Sequence, residues 1–274
     1  MSRFFKAGVA ALGMIAAGGA TAADLPTKKP APVLQPSPWR FEITGYGWGT
    51  SLAGAAGFGT LPTTPYYASF GKVIEHFQAG VMGAAVARNG TFIFGLDGIW
   101  SKIGGDGTVK VKRLPAGAAG VDLTLTEGVV TGFTGVRIPV GPPNLELYGT
   151  VGARYVNSGT KLRLTTPLGF STTESVDKGW VDPIGGFVAN YRFDDRWFMN
   201  VLGDLGGWSD SATGQALASV GYNWTSNFAT TLGYRVMYNY EKQNTGFNVA
   251  TFEPRSFRYQ QWMYGPFVGF KYSF

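Results

Sequence analysis

The strongest constraint on the fold is the alternating pattern of the last residues, from Trp262 to Phe274. Bulky apolar or aromatic side chains occupy every second position up to Phe274, and mainly small or polar ones lie between them. In a soluble protein the terminal residues usually fray into water, where an apolar row has nothing to bury it. In a membrane β-barrel the same row faces lipid. The pattern therefore predicts a membrane-spanning strand of a bacterial outer-membrane barrel.

The amino terminus is organised like a secretory signal peptide. Arg3 and Lys6 precede an uncharged apolar stretch over residues 7–20, and small residues follow it. This stretch is too short to cross a bilayer as a helix. We therefore expect residues 1–23 to be removed on export.

Two further segments follow this predicted signal peptide. Residues 24–38 are rich in proline, which disfavours both strand and helix interiors, so we expect an extended periplasmic linker. Residues 39–274 are expected to form the barrel. The chain has no cysteine, which excludes disulfides, thiolate metal sites and cysteine nucleophiles.

The composition favours β-structure with one apolar face. The chain contains 8 Trp, 13 Tyr, 20 Phe and 41 Gly, and only 15% of its residues are charged. Glycine depresses helix formation. No segment after the signal peptide reaches the roughly 18 consecutive apolar residues that a membrane-spanning helix needs.

The pattern of alternation and turns predicts an all-β, antiparallel, up-and-down transmembrane barrel of about ten strands. In one strand, for example, Leu232 and Tyr234 alternate with Arg235, which is typical of a wall between lipid and lumen. The predicted strands cover about 39–52, 73–88, 91–103, 121–139, 144–164, 173–193, 196–208, 214–225, 228–242 and 258–274.

The connections alternate between short and long. Short turns are predicted near residues 88–91, 140–144, 194–195 and 225–227, and long loops at 53–72, 104–120 and 243–257. Outer-membrane barrels have short periplasmic turns and longer external loops. Two periplasmic termini and four short turns give ten strands. Over residues 104–130 the pattern also allows a strand to be gained or lost, and eight strands are the alternative.

Several short motifs carry a family resemblance, concentrated between residue 180 and the end of the chain. They lie at 180–186, 194–197, 203–208, 233–235 and 264–269, with additional matches at 95–100 and 24–30. On these motifs the chain resembles a poorly characterised, alphaproteobacterial-type family of proteobacterial outer-membrane β-barrel proteins. The resemblance implies the fold and an outer-membrane location, and it brings no established chemistry.

The resemblance to such barrels also implies partners. Periplasmic chaperones and the barrel-assembly machinery would handle the chain, and the machinery would read Phe270, Tyr272 and Phe274 as an assembly signal. Lipid and lipopolysaccharide of the outer membrane would surround the wall. We expect a monomer and no nucleic-acid partner, since lysine and arginine form no stripe.

Alternation also places charged residues on the lumen side of the strands. In a narrow barrel such charges are costly unless they are paired or hydrated. Mixed signs could interlock and close the lumen, which favours a structural or surface-displayed barrel, or they could line a narrow passive channel for ions or small solutes. The predicted lumen charges are Glu42, Asp97, Glu146, Arg154, Asp182, Asp204, Arg235 and Lys271.

An enzymatic role would centre on His76, the one histidine of the chain. If Phe77 and Val81 face lipid, His76 lies on the lumen side or at the rim. Omptin-type proteases are ten-stranded and use a histidine with carboxylates, but this sequence carries none of their local motifs. We therefore expect no catalytic site, and no pattern in the sequence predicts a metal or cofactor site.

Overall fold

The computed structural model describes residues 39–59, 64–110, 118–165, 171–248 and 253–274. The predicted signal peptide and proline-rich linker, residues 1–23 and 24–38, lie outside the described residues.

The described residues form twelve strands and one short helix. The strands are β1 (Arg40–Trp48), β2 (Ser51–Gly59), β3 (Thr64–Ala68), β4 (Phe77–Arg88), β5 (Phe92–Lys110), β6 (Ala118–Ile138), β7 (Leu145–Thr165), β8 (Ser171–Arg192), β9 (Trp197–Gly206), β10 (Ser211–Asn223), β11 (Phe228–Asn248) and β12 (Glu253–Ser273), and helix α1 covers Phe70–Glu75.

These strands close into an antiparallel barrel of ten wall strands, as predicted. Consecutive strands from β4 to β12 pair with one another, and β1 pairs with both β4 and β12 to complete the ring. β1 and β2 together act as one wall strand, because both pair with β12 on either side of Gly49 and Thr50. β3 pairs with β2. The ten-stranded interpretation is confirmed, and the eight-stranded alternative is wrong.

Side chains alternate between the lumen and the outer surface. On β11, Leu232 and Tyr234 are 66% and 49% exposed, whereas Arg235 and Met237 are buried. Apolar side chains dominate the outward positions around the wall, as expected for a surface that faces lipid. The terminal strand follows this rule, since Phe270, Tyr272 and Phe274 all point outward and are more than half exposed.

The predicted long loops are wrong in extent. β5 and β6 remain paired from residues 92 and 136 as far as Lys110 and Ala118, and β11 and β12 remain paired as far as Asn248 and Glu253. In these extensions outward residues such as Lys102 and Arg258 are polar. The strands therefore continue beyond the apolar band, by which we mean the part of the outer surface where outward side chains are apolar. Loops were predicted because a strand segment outside lipid carries polar side chains, and its composition then resembles that of a loop.

The four predicted short turns connect wall strands at one end, which we call the turn end; the opposite end is the loop end. Asn89-Gly90 joins β4 to β5, with Gly90 in the left-handed region at φ 77°. Between β8 and β9, Asp194 Oδ1 accepts the backbone N–H groups of Arg196 and Trp197 at 2.7 and 2.6 Å. These amides lower the pKa of the Asp194 carboxyl.

Within the part of the chain that the structure describes, no helix combines the length and the apolar character needed to cross a membrane.

Candidate functional site

The candidate site is a buried layer of polar side chains halfway along the lumen, centred on Arg154 of β7. Its Nη2 donates to both carboxylate oxygens of Asp204 on β9, at 2.8 and 2.9 Å. Its Nε donates to Thr131 Oγ1 and its Nη1 to Thr213 Oγ1, at 3.0 and 2.8 Å. Arg154 is completely buried. One guanidinium on β7 therefore connects β6, β9 and β10 inside the lumen.

A second buried guanidinium, Arg235 of β11, continues this layer. Its Nη2 donates to Asp97 Oδ1 on β5 at 2.7 Å, and its Nη1 donates to the Tyr46 hydroxyl on β1 at 2.8 Å. The Tyr46 hydroxyl in turn donates to Asp97 Oδ2 at 2.7 Å. The side chains of Arg235, Tyr46 and Asp97 are thus each hydrogen-bonded to the other two.

Gln215 of β10 joins the two halves. Its Nε2 donates to Asp204 at 2.7 Å, and its Oε1 accepts from Arg235 at 2.6 Å. The resulting mid-lumen network contains two guanidinium and two carboxylate groups, so its charge balances. Buried charges are tolerated only when paired and hydrogen-bonded, and this network meets both conditions. It comprises Tyr46, Asp97, Thr131, Arg154, Asp204, Thr213, Gln215 and Arg235.

Apolar layers lie on either side of the mid-lumen network. The upper layer, towards the loop end, comprises Trp48, Leu52, Val73, Ile99, Val129, Val156, Trp180, Met237, Phe257, Tyr259, Met263 and Phe267. The lower layer comprises Ile93, Tyr148 and Val188, with Val86, Phe133 and Leu202 against them. Arg235 also lies 5.2 Å from the centroid of the Trp48 ring. The lumen therefore contains alternating polar and apolar layers, and sequence analysis did not identify the apolar ones.

The turn end of the lumen holds a separate charge cluster around Arg88. This guanidinium contacts Glu42 at 2.7 Å and Glu146 at 3.2 Å. Lys271 lies 3.6 Å from Glu42 and 4.0 Å from the centroid of the Phe198 ring. The cluster borders a vestibule of about 660 Å³ that opens at the turn end. A smaller cavity of about 160 Å³ lies between this cluster and Arg235.

The structure brings seven of the eight predicted lumen charges into these two networks. Asp182 is the exception. It is buried on β8, where it accepts a hydrogen bond from the Ser211 hydroxyl on β10. Its second oxygen, Oδ2, is buried without a hydrogen-bond partner.

Sequence analysis did not select Arg88 or Tyr46, although both were within its reach. Arg88 has the same parity as Val86 on β4, and Tyr46 has the same parity as Glu42 on β1. Period-2 alternation therefore assigns both to the lumen. Arg88 was interpreted as a turn residue because it precedes Asn89-Gly90.

His76 lies at the carboxyl end of helix α1, and its predicted position within a strand is wrong. Its Nδ1 lies 2.9 Å from the carbonyl oxygen of Lys72, one helical turn earlier. The ring lies against Gly105 of β5, where an added Cβ would be 2.6 Å from His76 Cδ2. Among the described residues, no group of three or more His, Cys, Asp or Glu could hold a metal ion.

Comparison with known proteins identifies the architecture. No protein-family model and no curated protein sequence matches the chain. Among solved structures, the outer membrane protease OmpT from Escherichia coli is 12% identical with a TM-score of 0.56, covering 89% of this chain and 99% of OmpT.

Two further solved structures match with TM-scores below 0.5. Ail, the attachment invasion locus protein of Yersinia pestis, is 13% identical with a TM-score of 0.30, over 87% of this chain and 99% of Ail. Neisserial surface protein A is 14% identical with a TM-score of 0.27, over 85% and 97% of the two chains. At such identities a likeness can concern only the fold, and of these three likenesses the one to OmpT has a TM-score above 0.5. The chain has the fold of an outer-membrane β-barrel.

Proposed function

We propose that the protein is an integral outer-membrane barrel whose lumen is closed and whose role is structural or surface-displayed and non-enzymatic. The observation that carries this proposal is the fully buried Arg154 on β7, which donates two hydrogen bonds inside the lumen to Asp204 on β9. Opening a water path here would require separating a desolvated ion pair.

The layers on either side of the mid-lumen network support the same proposal. Val129, Val156 and Met237 are completely buried in the upper layer, and Ile93 and Tyr148 are almost completely buried in the lower one. A ten-stranded barrel is also far narrower than the 16–18-stranded porins that enclose an aqueous channel. The cavity of about 160 Å³ passes between side chains of the lower layer and reaches Arg235, so the mid-lumen network and the upper layer are the main barriers that an ion would meet.

A narrow passive channel is the second candidate. The vestibule of about 660 Å³ favours it, because charged groups of both signs line a water-accessible mouth at the turn end. Ion conduction separates the candidates, since a closed lumen passes no steady current and a channel does. An enzyme centred on His76 is a weaker candidate. The hydrogen bond that the structure describes for this side chain joins Nδ1 to the backbone carbonyl of Lys72, not to a carboxylate.

The proposed location follows from the outward apolar surface. Trp39, Phe41 and Trp197 near the turn end and Trp262 nearer the loop end are all more than 40% exposed. Aromatic girdles of this kind lie at the two membrane interfaces of outer-membrane barrels. We infer contact with lipid and lipopolysaccharide, periplasmic termini and a monomeric barrel.

Cysteine labelling tests the location and the orientation, because the chain has no cysteine of its own. Ser209 lies in the turn between β9 and β10 at the loop end, and Ser226 lies in the turn between β10 and β11 at the turn end. Both residues are exposed. On intact cells, a membrane-impermeant maleimide is expected to label Ser209→Cys and not Ser226→Cys.

The two variants act as controls for each other, since each replaces an exposed serine in a short turn. Permeabilising the outer membrane should make Ser226→Cys reactive and leave Ser209→Cys unchanged. Labelling of Ser226→Cys alone on intact cells would reverse the proposed orientation. Absence of labelling at both positions on intact cells would contradict surface display.

A further inference from the structure

The barrel wall is interrupted between β1 and β4. Pairing between these strands runs from Arg40 and Arg88 up to Gly45 and Gly83, which is the last pair described. Nearer the loop end, β2 pairs with the short β3 instead, over Leu52–Ala56 and Thr64–Ala68. We call the gap between residues 46–48 and residues 77–82 the wall seam.

The wall seam lies within the apolar band of the outer surface. Gly45 pairs with Phe270 of β12, and Ala53 of β2 pairs with Trp262. Both aromatic side chains point outward and are 58% and 44% exposed. Val81, on the β4 side of the seam, is 69% exposed. Hydrocarbon, rather than water, therefore borders the seam.

A cavity of about 370 Å³ lies behind the wall seam. Lumen-facing side chains, among them Met82, Ile99 and Met263, line its inner part. Outward residues, among them Phe77 and Val268, line the same cavity. Because residues of both faces border one space, the cavity passes through the wall and connects the lipid-facing surface with the barrel interior.

Helix α1 lies over the loop-end side of this cavity. Val73 is buried against the upper apolar layer, and the ring of Phe70 lies against Gly49, where an added Cβ would be 2.9 Å from it. Ile74 lines the cavity and is 59% exposed on the outer surface. Lys72 and Glu75 form an exposed ion pair on the helix. The helix thus covers the cavity towards water and leaves its side open towards lipid.

The lining determines what the cavity can hold. Most lining side chains are apolar, and the carboxylate of Glu127 already accepts a hydrogen bond from the Tyr259 hydroxyl at 2.7 Å. Water needs two to four polar partners to occupy a buried site, which this lining supplies poorly. The volume lies within the range of about 300–1,000 Å³ that is typical of ligand pockets.

We propose that this cavity binds one unbranched hydrocarbon chain, which enters from the membrane through the wall seam. A flexible chain matches a narrow apolar space that opens sideways into hydrocarbon. Either a membrane lipid or a free fatty acid could supply it, because both present the same chain. Such binding is independent of conduction along the barrel axis, so a closed lumen and an occupied seam are compatible.

Photolabelling tests the proposal with the complete protein in lipid bilayers. The two probes are palmitic acid carrying a mid-chain diazirine and a phospholipid carrying the same chain. Outward residues such as Val81 should react with both probes, since both fill the bilayer. Entry through the seam predicts additional adducts on lumen-facing Met82, Ile99 or Met263. The probe that produces these adducts identifies the source of the chain.

A substitution at the mouth of the cavity provides the matched comparison. Gly47 lines the cavity, and Gly98 on β5 does not. At both positions an added Cβ would meet nothing within 4 Å, so both tolerate a larger side chain equally in this respect. Gly47→Phe should reduce the lumen-facing adducts about tenfold by filling the mouth, and Gly98→Phe should leave them unchanged.

Two results would overturn the proposal. One is labelling of the wild-type protein that is confined to outward residues with both probes. The other is equal lumen-facing labelling in Gly47→Phe and wild type. If Gly47→Phe fails to fold, the adduct map of the wild-type protein still decides the question.

Discussion

Replacing Arg154 with methionine is expected to lower the free energy of unfolding by about 3–5 kcal/mol. The substitution retains much of the side-chain volume but leaves the Asp204 carboxylate buried without its bidentate partner. It also removes the hydrogen bonds to Thr131 and Thr213. Urea titration of the barrel in lipid vesicles, followed by tryptophan fluorescence and gel mobility, measures the loss.

Two further variants identify the cause of that loss. Lys161→Met removes an exposed cation from the same strand and should change stability by less than about 0.5 kcal/mol. Adding Asp204→Asn to Arg154→Met removes the orphaned charge and should restore a large part of the stability. A small effect of Arg154→Met alone would mean that Asp204 is hydrated, which a closed lumen does not allow.

Replacing Phe270, Tyr272 and Phe274 together with serine is expected to abolish most assembly of the barrel in cells. These side chains lie on the outward face of β12, next to the β1–β12 pairing that closes the ring. Phe274 also exchanges backbone hydrogen bonds with Phe41 at 3.0 and 2.9 Å. The amount of heat-modifiable barrel in the outer-membrane fraction measures assembly.

A matched triple substitution separates signalling from lipid contact. Phe92, Phe94 and Leu96 lie outward near the turn end of β5 and are 45%, 47% and 56% exposed, against 58%, 54% and 61% for the terminal set. If the assembly machinery reads the terminal strand, the β5 variant should assemble better in cells, while both refold similarly in detergent. Equal assembly in cells would show that apolar outward surface alone matters.

The strand count and the lumen charges could be predicted from the sequence because both depend on a period of two. Once Phe274 fixes which face of its strand meets lipid, the alternation of side chains places Lys271 in the lumen. The same alternation places Arg154 and Arg235 there on their own strands. The structure places all eight predicted charges inside the barrel. The sequence does not predict which charges pair, because the pairing of Arg154 on β7 with Asp204 on β9 depends on the register of two strands that are separated by β8.

The wall seam and the apolar layers could not be predicted in this way. Residues 53–72 were expected to form a loop because they are rich in small and polar residues, yet they contribute most of β2, all of β3 and the start of α1. Their pairing depends on β12, about 200 residues away in the chain. In the lumen, Val129 and Met237 follow the same alternation as the charges, but alternation does not show that inward apolar residues of different strands pack together into a layer.

Planar-bilayer recording of the purified wild-type protein tests the closed lumen most directly. The buried pairs Arg154–Asp204 and Arg235–Asp97, with apolar layers on both sides, predict no steady unitary conductance. Lys271→Glu, which changes a charge at the turn-end vestibule, should not alter this baseline. Steady unitary current steps whose size or ion selectivity changes in Lys271→Glu would contradict the closed lumen and establish a narrow channel.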